Sequence, residues 1–202
     1  MGPGRTDADD IVASLSDGER FLPVFERHYE SIRAYLQRRT GREVGEELAA
    51  QTFEVAFAHR SDFDVRWTSA EPWLFGIATN VLRHHLRSEW RRRKAMSRIV
   101  PDHDRGFDDD LDDRLAAREA GRSLARVVDS LDDGQREVLL LFALADLSYD
   151  EIARALGISP GTVRSRLSRA RQRIREHRDV GDVIRLVDPD PAEAIGGAGG
   201  RP

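Results

Sequence analysis

Cysteine is absent from the 202 residues, which removes disulfide frameworks, thiolate metal sites and cysteine nucleophiles together. Histidine is scarce, with six in the chain. His84 and His85 are adjacent, so on a helix they point about 100° apart, and neither His-Glu-x-x-His nor His-x-x-Glu-His spacing occurs. Neither a metal site nor a cofactor is expected. Long apolar runs are missing too: the longest, around Val138 to Ala145, falls well short of the roughly 20 residues of a spanning helix. The opening MGPGRTDADD lacks the basic and apolar pattern of a secretory signal. The expectation is a cytoplasmic protein without membrane insertion.

What is present is charge, and it is segregated. The net charge of -4 conceals RHHLRSEWRRRKAMSR at 83–98, seven basic residues against the single acid Glu89, followed by PDHDRGFDDDLDD with seven aspartates against one arginine. A block of one sign followed by the other reads as a binding face and then a repelled, extended linker. A second cationic segment, GTVRSRLSRARQRIR at 161–175, carries six arginines.

Apolar periodicity places helices on both sides of the acidic stretch. Phe21, Phe25, Tyr29, Ile32 and Leu36 follow helical spacing after Ser16 and Asp17, candidate caps, and Gly41 ends the run. A second helix starts near Glu43, with Leu48, Thr52, Val55 and Ala56 on one side, and fades at Arg60 and Ser61. SDFDVRWTSAE has no period and reads as a loop. Pro72 sits in the first turn of a third helix, whose expected buried stripe is Trp73, Leu74, Ile77, Val81 and Leu82. After the acidic stretch a helix is expected over 115–130. Three shorter ones follow, marked by capping boxes at Asp132/Gln135 and Ser148/Glu151, by Gly157 as a C-terminal glycine, and by Ser159-Pro160. Residues 148–175 thus read as helix, turn, helix.

On the last of these, Val163, Leu167, Ala170 and Ile174 fall within about 60° of one another and form a narrow apolar stripe. The other faces hold short hydroxyl side chains framed by cations. Like charges three and four apart repel by a few tenths of a kcal/mol per pair, and nothing acidic relieves them before Glu176. A polyanion would, and a second helix presenting such a face after a short turn is how helix-turn-helix proteins enter the major groove. Arg164, Ser165, Ser168 and Arg169 are the candidates for base-edge contacts, Arg171 and Arg173 for phosphates.

The first half adds a basic helix preceded by a loop bearing Phe63 and Trp67. Aromatics beside cations suit single-stranded nucleic acid, through stacking and phosphate pairing; the competing reading puts Trp73, Phe75 and Trp67 in the core. Asn80, an amide mid-helix among arginines, is a candidate for base-edge bonding. An autonomous helix-turn-helix regulator would explain 132–175 but would leave this first half unused. A two-metal nuclease site among the aspartates of 102–113 has no opposing ligand set.

The segments EELAAQTFEVAF, PWLFGIATNVLRHHLRSEWRRR and DSLDDGQREVLLLFALADLSYDEIARALGISPGTVRSRLSRARQRIR, in this order and spacing, resemble the extracytoplasmic-function (ECF) class of bacterial RNA polymerase sigma factors over about residues 18–178. The chain departs from the usual pattern at Val44, Ala50-Gln51 and His84. The resemblance implies an all-α protein of two small helical domains joined by an acidic flexible linker. It implies a promoter-melting and clamp-binding domain at 18–97, a linker at 98–115 and a domain reading the minus-thirty-five element at 116–178. Residues 1–17 and 179–202 are expected to be disordered. Glu46, Glu47, Leu48, Gln51 and Phe53 fall where the family docks on the clamp helices of the polymerase largest subunit. The loop with Phe63 and Trp67, Asn80, and the helix beyond with Arg83, Arg87 and Arg91 would capture the minus-ten element. The Leu139–Leu144 helix would lie near the polymerase flap. The linker would reach the RNA path or act as a solvated tether. A separate anti-sigma factor is the expected regulator, and no catalytic activity is implied.

Overall fold

The computed structural model describes residues 5–96, 127, 128 and 130–176. Every regular element among them is helical, and the chain divides into two compact units. The acidic stretch, the tail beyond residue 178 and most of the helix expected over 115–130 lie outside the described residues.

The first unit contains α1 (Asp7–Ser14), α2 (Leu22–Thr40), α3 (Arg42–Ala58) and α4 (Glu71–Met96), with short 3-10 turns at Gly18–Phe21 and Arg60–Asp62. The expectation of a disordered 1–17 is corrected by α1. Thr6 and Asp9 close a capping box, Asp9 N–H donating to Thr6 Oγ1 at 3.2 Å and Thr6 N–H to Asp9 Oδ2 at 2.9 Å. Ala8 and Ile11 are buried. The segment reads as polar because two of its aspartates, Asp7 and Asp10, are buried with partners on α2 rather than solvated: both bind the Arg27 guanidinium, and Asp7 also meets His28.

Asp17 caps the 3-10 turn rather than the long helix, its Oδ1 accepting the Glu19 N–H at 3.3 Å, and Pro23 opens α2, where its missing N–H costs nothing. The buried line of α2 is Val24, Ile32, Tyr35 and Leu36. Phe25 and Tyr29 are half-buried and cluster with Phe53 of α3, the Phe25 centroid lying 4.8 Å from Tyr29 and 4.9 Å from Phe53. Gly41, at φ +84°, makes the reversal between α2 and α3, a conformation that costs glycine nothing. The helices then close tightly: a Cβ on Gly45 would lie 2.5 Å from the Gln37 backbone. Leu74, Phe75, Ala78, Val81 and Leu82 anchor α4, while Trp73 and Ile77 of the expected stripe are only half-buried. Phe75 packs edge-on against Tyr35 at 5.4 Å.

The second unit holds α5 (Asp133–Ala145), α6 (Tyr149–Leu156) up to Ala153, and α7 (Pro160–Glu176). The caps read from sequence are present. Asp132 accepts the Gln135 N–H at 2.8 Å, Ser148 and Glu151 close a reciprocal box, and Ser159 Oγ accepts the Thr162 N–H at 3.1 Å. Gly157, at φ +63°, ends α6. Its N–H and that of Ile158 donate back to Arg154 and Ala153 carbonyls at 3.3 and 3.0 Å, the paired bonds of a Schellman motif. Arg136 fastens the start of α5 to the preceding turn through the Val128 and Leu131 carbonyls.

Candidate nucleic-acid interface

Orientation of α7 is decided by its apolar stripe. Val163, Leu167, Ala170 and Ile174 are all buried, facing α5, whose Val138, Leu139 and Leu141 are buried too. Burying Val163, Leu167 and Ile174 contributes about 1.5–3 kcal/mol each, more than the arginine repulsion opposes. The other faces must therefore look outward, and Arg164, Ser165, Ser168, Arg169 and Arg173 are exposed. Ser165 donates its hydroxyl proton to the Thr162 carbonyl at 3.0 Å, which leaves its oxygen as an acceptor for an incoming donor. Arg171 differs from the other proposed phosphate contact: it is half-buried, its guanidinium 5.2 Å over the Phe142 ring. Arg166 likewise folds over the first turn of α5, where a Cβ on Gly134 would lie 2.8 Å from its Cζ.

The second cationic face lies on α4. Advancing about 100° per residue, Asn80, Arg83, His84, Arg87, Arg91 and Lys94 fall within about 100° of arc, opposite Ala78 and Leu82 in the core. Asn80, Arg87 and Arg91 are exposed and Arg83 half-exposed. The Asn80 side-chain Oδ1 accepts from Arg83 Nη1 at 3.1 Å, which holds amide and guanidinium in register.

The loop ahead of α4 separates its two aromatics. Phe63 is 6% exposed and packs edge-on against Trp73 at 5.4 Å. It is a core residue, and its expected role as a stacking platform is corrected, because burying its ring anchors the start of the loop. Trp67 is 43% exposed. It projects from a turn organised by Asp64, whose carboxylate holds Arg66 through Nε at 2.9 Å and through its backbone N–H at 3.1 Å, while the Asp64 carbonyl accepts the Trp67 N–H at 3.0 Å. The Arg66 hydrogen bonds hold the Asp64 carboxyl down at about 2, so this clasp is charged at any physiological pH.

Sequence reading missed Trp90, 55% exposed with the Lys94 ammonium 4.8 Å from its ring, and Leu86, exposed one turn earlier. The available signal was position: Trp90 falls beside Arg83 at the edge of the polar stripe, while Leu86 falls beside the apolar one.

An acidic face is carried by α3. Glu43, Glu46, Glu47, Gln51, Glu54 and Phe57 are exposed within about 140° of arc. Leu48 and Phe53, expected to share in docking, are 3% and 5% exposed. They are corrected to core residues: Leu48 lies off the acidic arc, and Phe53, at its edge, is buried against Phe25 and Tyr29 of α2.

The structure thus offers two cationic surfaces and an acidic one on an all-helical frame. Comparison with known proteins gives these a family. Residues 24–92 match the model of Sigma-70 region 2, and residues 121–174 that of Sigma-70, region 4. RNA polymerase sigma factor HrpL of Pseudomonas syringae pv. syringae is 30% identical over 155 residues, 74% of this chain and 82% of that protein. ECF RNA polymerase sigma factor SigC of Mycobacterium tuberculosis is 30% identical over 75% of this chain and 73% of its own. Among solved structures, CnrH in complex with the cytosolic domain of CnrY superposes with a TM-score of 0.57 at 25% identity, covering 83% of this chain and 93% of CnrH. With matches across both units, the initiation-factor reading replaces the autonomous regulator, and the chain belongs to the ECF class of RNA polymerase sigma factors, which direct polymerase to promoters.

Proposed function

We propose that the work of this sigma factor is divided among the three faces. α3 docks on the clamp helices of the polymerase largest subunit through Glu46, Glu47 and Gln51. Trp67, Asn80 and the α4 stripe of Arg83, Arg87 and Arg91 capture the unpaired minus-ten strand. α7 reads the minus-thirty-five element as duplex through Arg164, Ser165, Ser168 and Arg169, with Arg173 on phosphate and α5 toward the flap. The observation that carries this reading is α7, whose buried stripe leaves serines and arginines facing outward. The protein acts in the cytoplasm without a catalytic step of its own. Promoter opening is driven by contacts made only with the melted strand, since equal affinity for both states shifts nothing. An anti-sigma factor completes the partner set, supported by CnrH being solved with a second protein, the cytosolic domain of CnrY.

Trp67 gives the direct test of the melting face. Stacking is worth about 1–3 kcal/mol per base, so Trp67→Ala in the holoenzyme is expected to reduce open complex, read by permanganate reactivity in the minus-ten region, by roughly 5- to 150-fold. Core affinity should be unchanged. Wild-type reactivity with Trp67→Ala would contradict strand capture by this loop.

A further inference from the structure

One buried charge has no part in that division of labour. The Asp7 carboxylate, at the first position of α1, is almost completely buried. Its Oδ2 accepts the Ala70 N–H at 2.7 Å and meets His28 Nε2 at 2.8 Å, while Oδ1 binds the Arg27 guanidinium. Asp7 N–H donates to the Thr68 carbonyl at 3.0 Å. Both ends of the Thr68–Ala70 segment, the stretch that follows Trp67 and leads into α4, are therefore pinned by one residue. Ala70 is also where α4 begins, its carbonyl accepting the Leu74 N–H at 2.9 Å, so the carboxylate sits at the positive end of that helix.

The partners are matched to a charge that must stay ionised. Burial pushes the Asp7 carboxyl up, but the His28 hydrogen bond, the Ala70 amide and the His28 and Arg27 charges outweigh it and hold it below the usual carboxylate range. Arg27 is itself fixed by Asp10, which also takes Arg5 Nε at 2.9 Å. The far end of α1 is tied down as well, the Ser14 carbonyl accepting Arg60 Nε at 3.3 Å. α1 thus runs as a fixed strut from the turn after α3 to the loop bearing Trp67.

We propose that Asp7 is a positioning residue for promoter melting: from α1 it clamps Thr68 and Ala70 so that Trp67 is presented to the unpaired strand before that strand arrives. The inference rests on the assignment of the Trp67 loop to strand capture. Freed from the clamp, the loop keeps its Asp64–Arg66 turn but must be ordered at the moment of capture, a cost that falls on opening.

The test compares Asp7→Ala, Asp7→Asn and Trp67→Ala as full-length chains in holoenzyme. It uses fully paired promoter and a template with a pre-opened minus-ten region, and measures core affinity in parallel. Asp7→Ala is expected to slow opening of paired promoter at least tenfold and to differ less than threefold from wild type on the pre-opened template, with core affinity within twofold. Asp7→Asn, which keeps an acceptor for the Ala70 N–H, should recover at least a third of the wild-type rate. Normal opening by Asp7→Ala beside a defective Trp67→Ala would overturn the clamp and leave the loop assignment standing. Normal opening by Trp67→Ala would overturn the loop assignment and the clamp with it. Equal loss on both templates, together with weaker core binding, would make Asp7 a general folding residue and overturn the proposal.

Discussion

Exchanging Glu46 and Glu47 together for lysine lowers affinity for core polymerase by about 10- to 100-fold, equivalent to about 1.4–2.7 kcal/mol. Both side chains are exposed on the outer arc of α3, so their removal leaves the helix packing, set by Leu48, Ala49, Thr52, Phe53 and Ala56, in place. Surface changes away from such packing stay within about 0.5 kcal/mol of wild-type stability. The loss at the docking surface comes from reversing two attractive contacts in a field that also includes Glu43 and Glu54. Charge pairs at interfaces couple by about 1.5 kcal/mol or more when close. The effect should shrink as salt rises, because exposed pairs are screened within about 8–10 Å. The check is fluorescence anisotropy of labelled protein against core enzyme at two salt concentrations, with duplex binding by the second unit's α7 as control. Unchanged core affinity contradicts the assignment of α3.

Arg169→Ala acts at the other end of the chain and on a different partner. Arg169 is exposed on α7, in line with Ser165 and Ser168 and away from the buried stripe. A bidentate arginine–base contact is worth about 1–3 kcal/mol of discrimination, so transcription from a promoter with an intact minus-thirty-five element should fall by roughly 5- to 150-fold. A promoter whose minus-thirty-five element is scrambled should lose little further activity. Arg173→Ala should instead weaken binding across all sequences and flatten the salt dependence by about one unit of slope. Equal loss for Arg169→Ala on both templates would remove it from base readout.

Legibility of this fold followed the strength of the local signals. In the second unit the caps at Asp132, Ser148 and Ser159, the glycine at 157 and the stripe at 163, 167, 170 and 174 all occur as the sequence suggested, because each is decided within a few residues. The first unit was less transparent where burial and polarity disagree. α1 looks like a solvated tail because Asp7 and Asp10 are charged, whereas the distant Arg27, His28 and Ala70 N–H, with Arg5 nearby, offset their burial. Phe63 and Trp67 are two aromatics four apart in one irregular loop. Their different fates, one buried against Trp73 and one 43% exposed, depend on tertiary contacts that no period encodes. Leu48 and Phe53 were placed at the docking surface by resemblance, whereas packing buries them beside the exposed glutamates. Trp90 went unnoticed because a tryptophan among arginines reads as an interruption of a basic run rather than as part of its surface.

The measurement that bears most directly on the account is transcription by purified core polymerase on sheared genomic DNA of the source organism, with and without this protein, with RNA ends mapped. Defined start sites that appear only with the protein, share minus-ten and minus-thirty-five elements and disappear with the Glu46/Glu47 double lysine variant are the expected result. Sequence-specific DNA binding by the protein with no new start sites would contradict it.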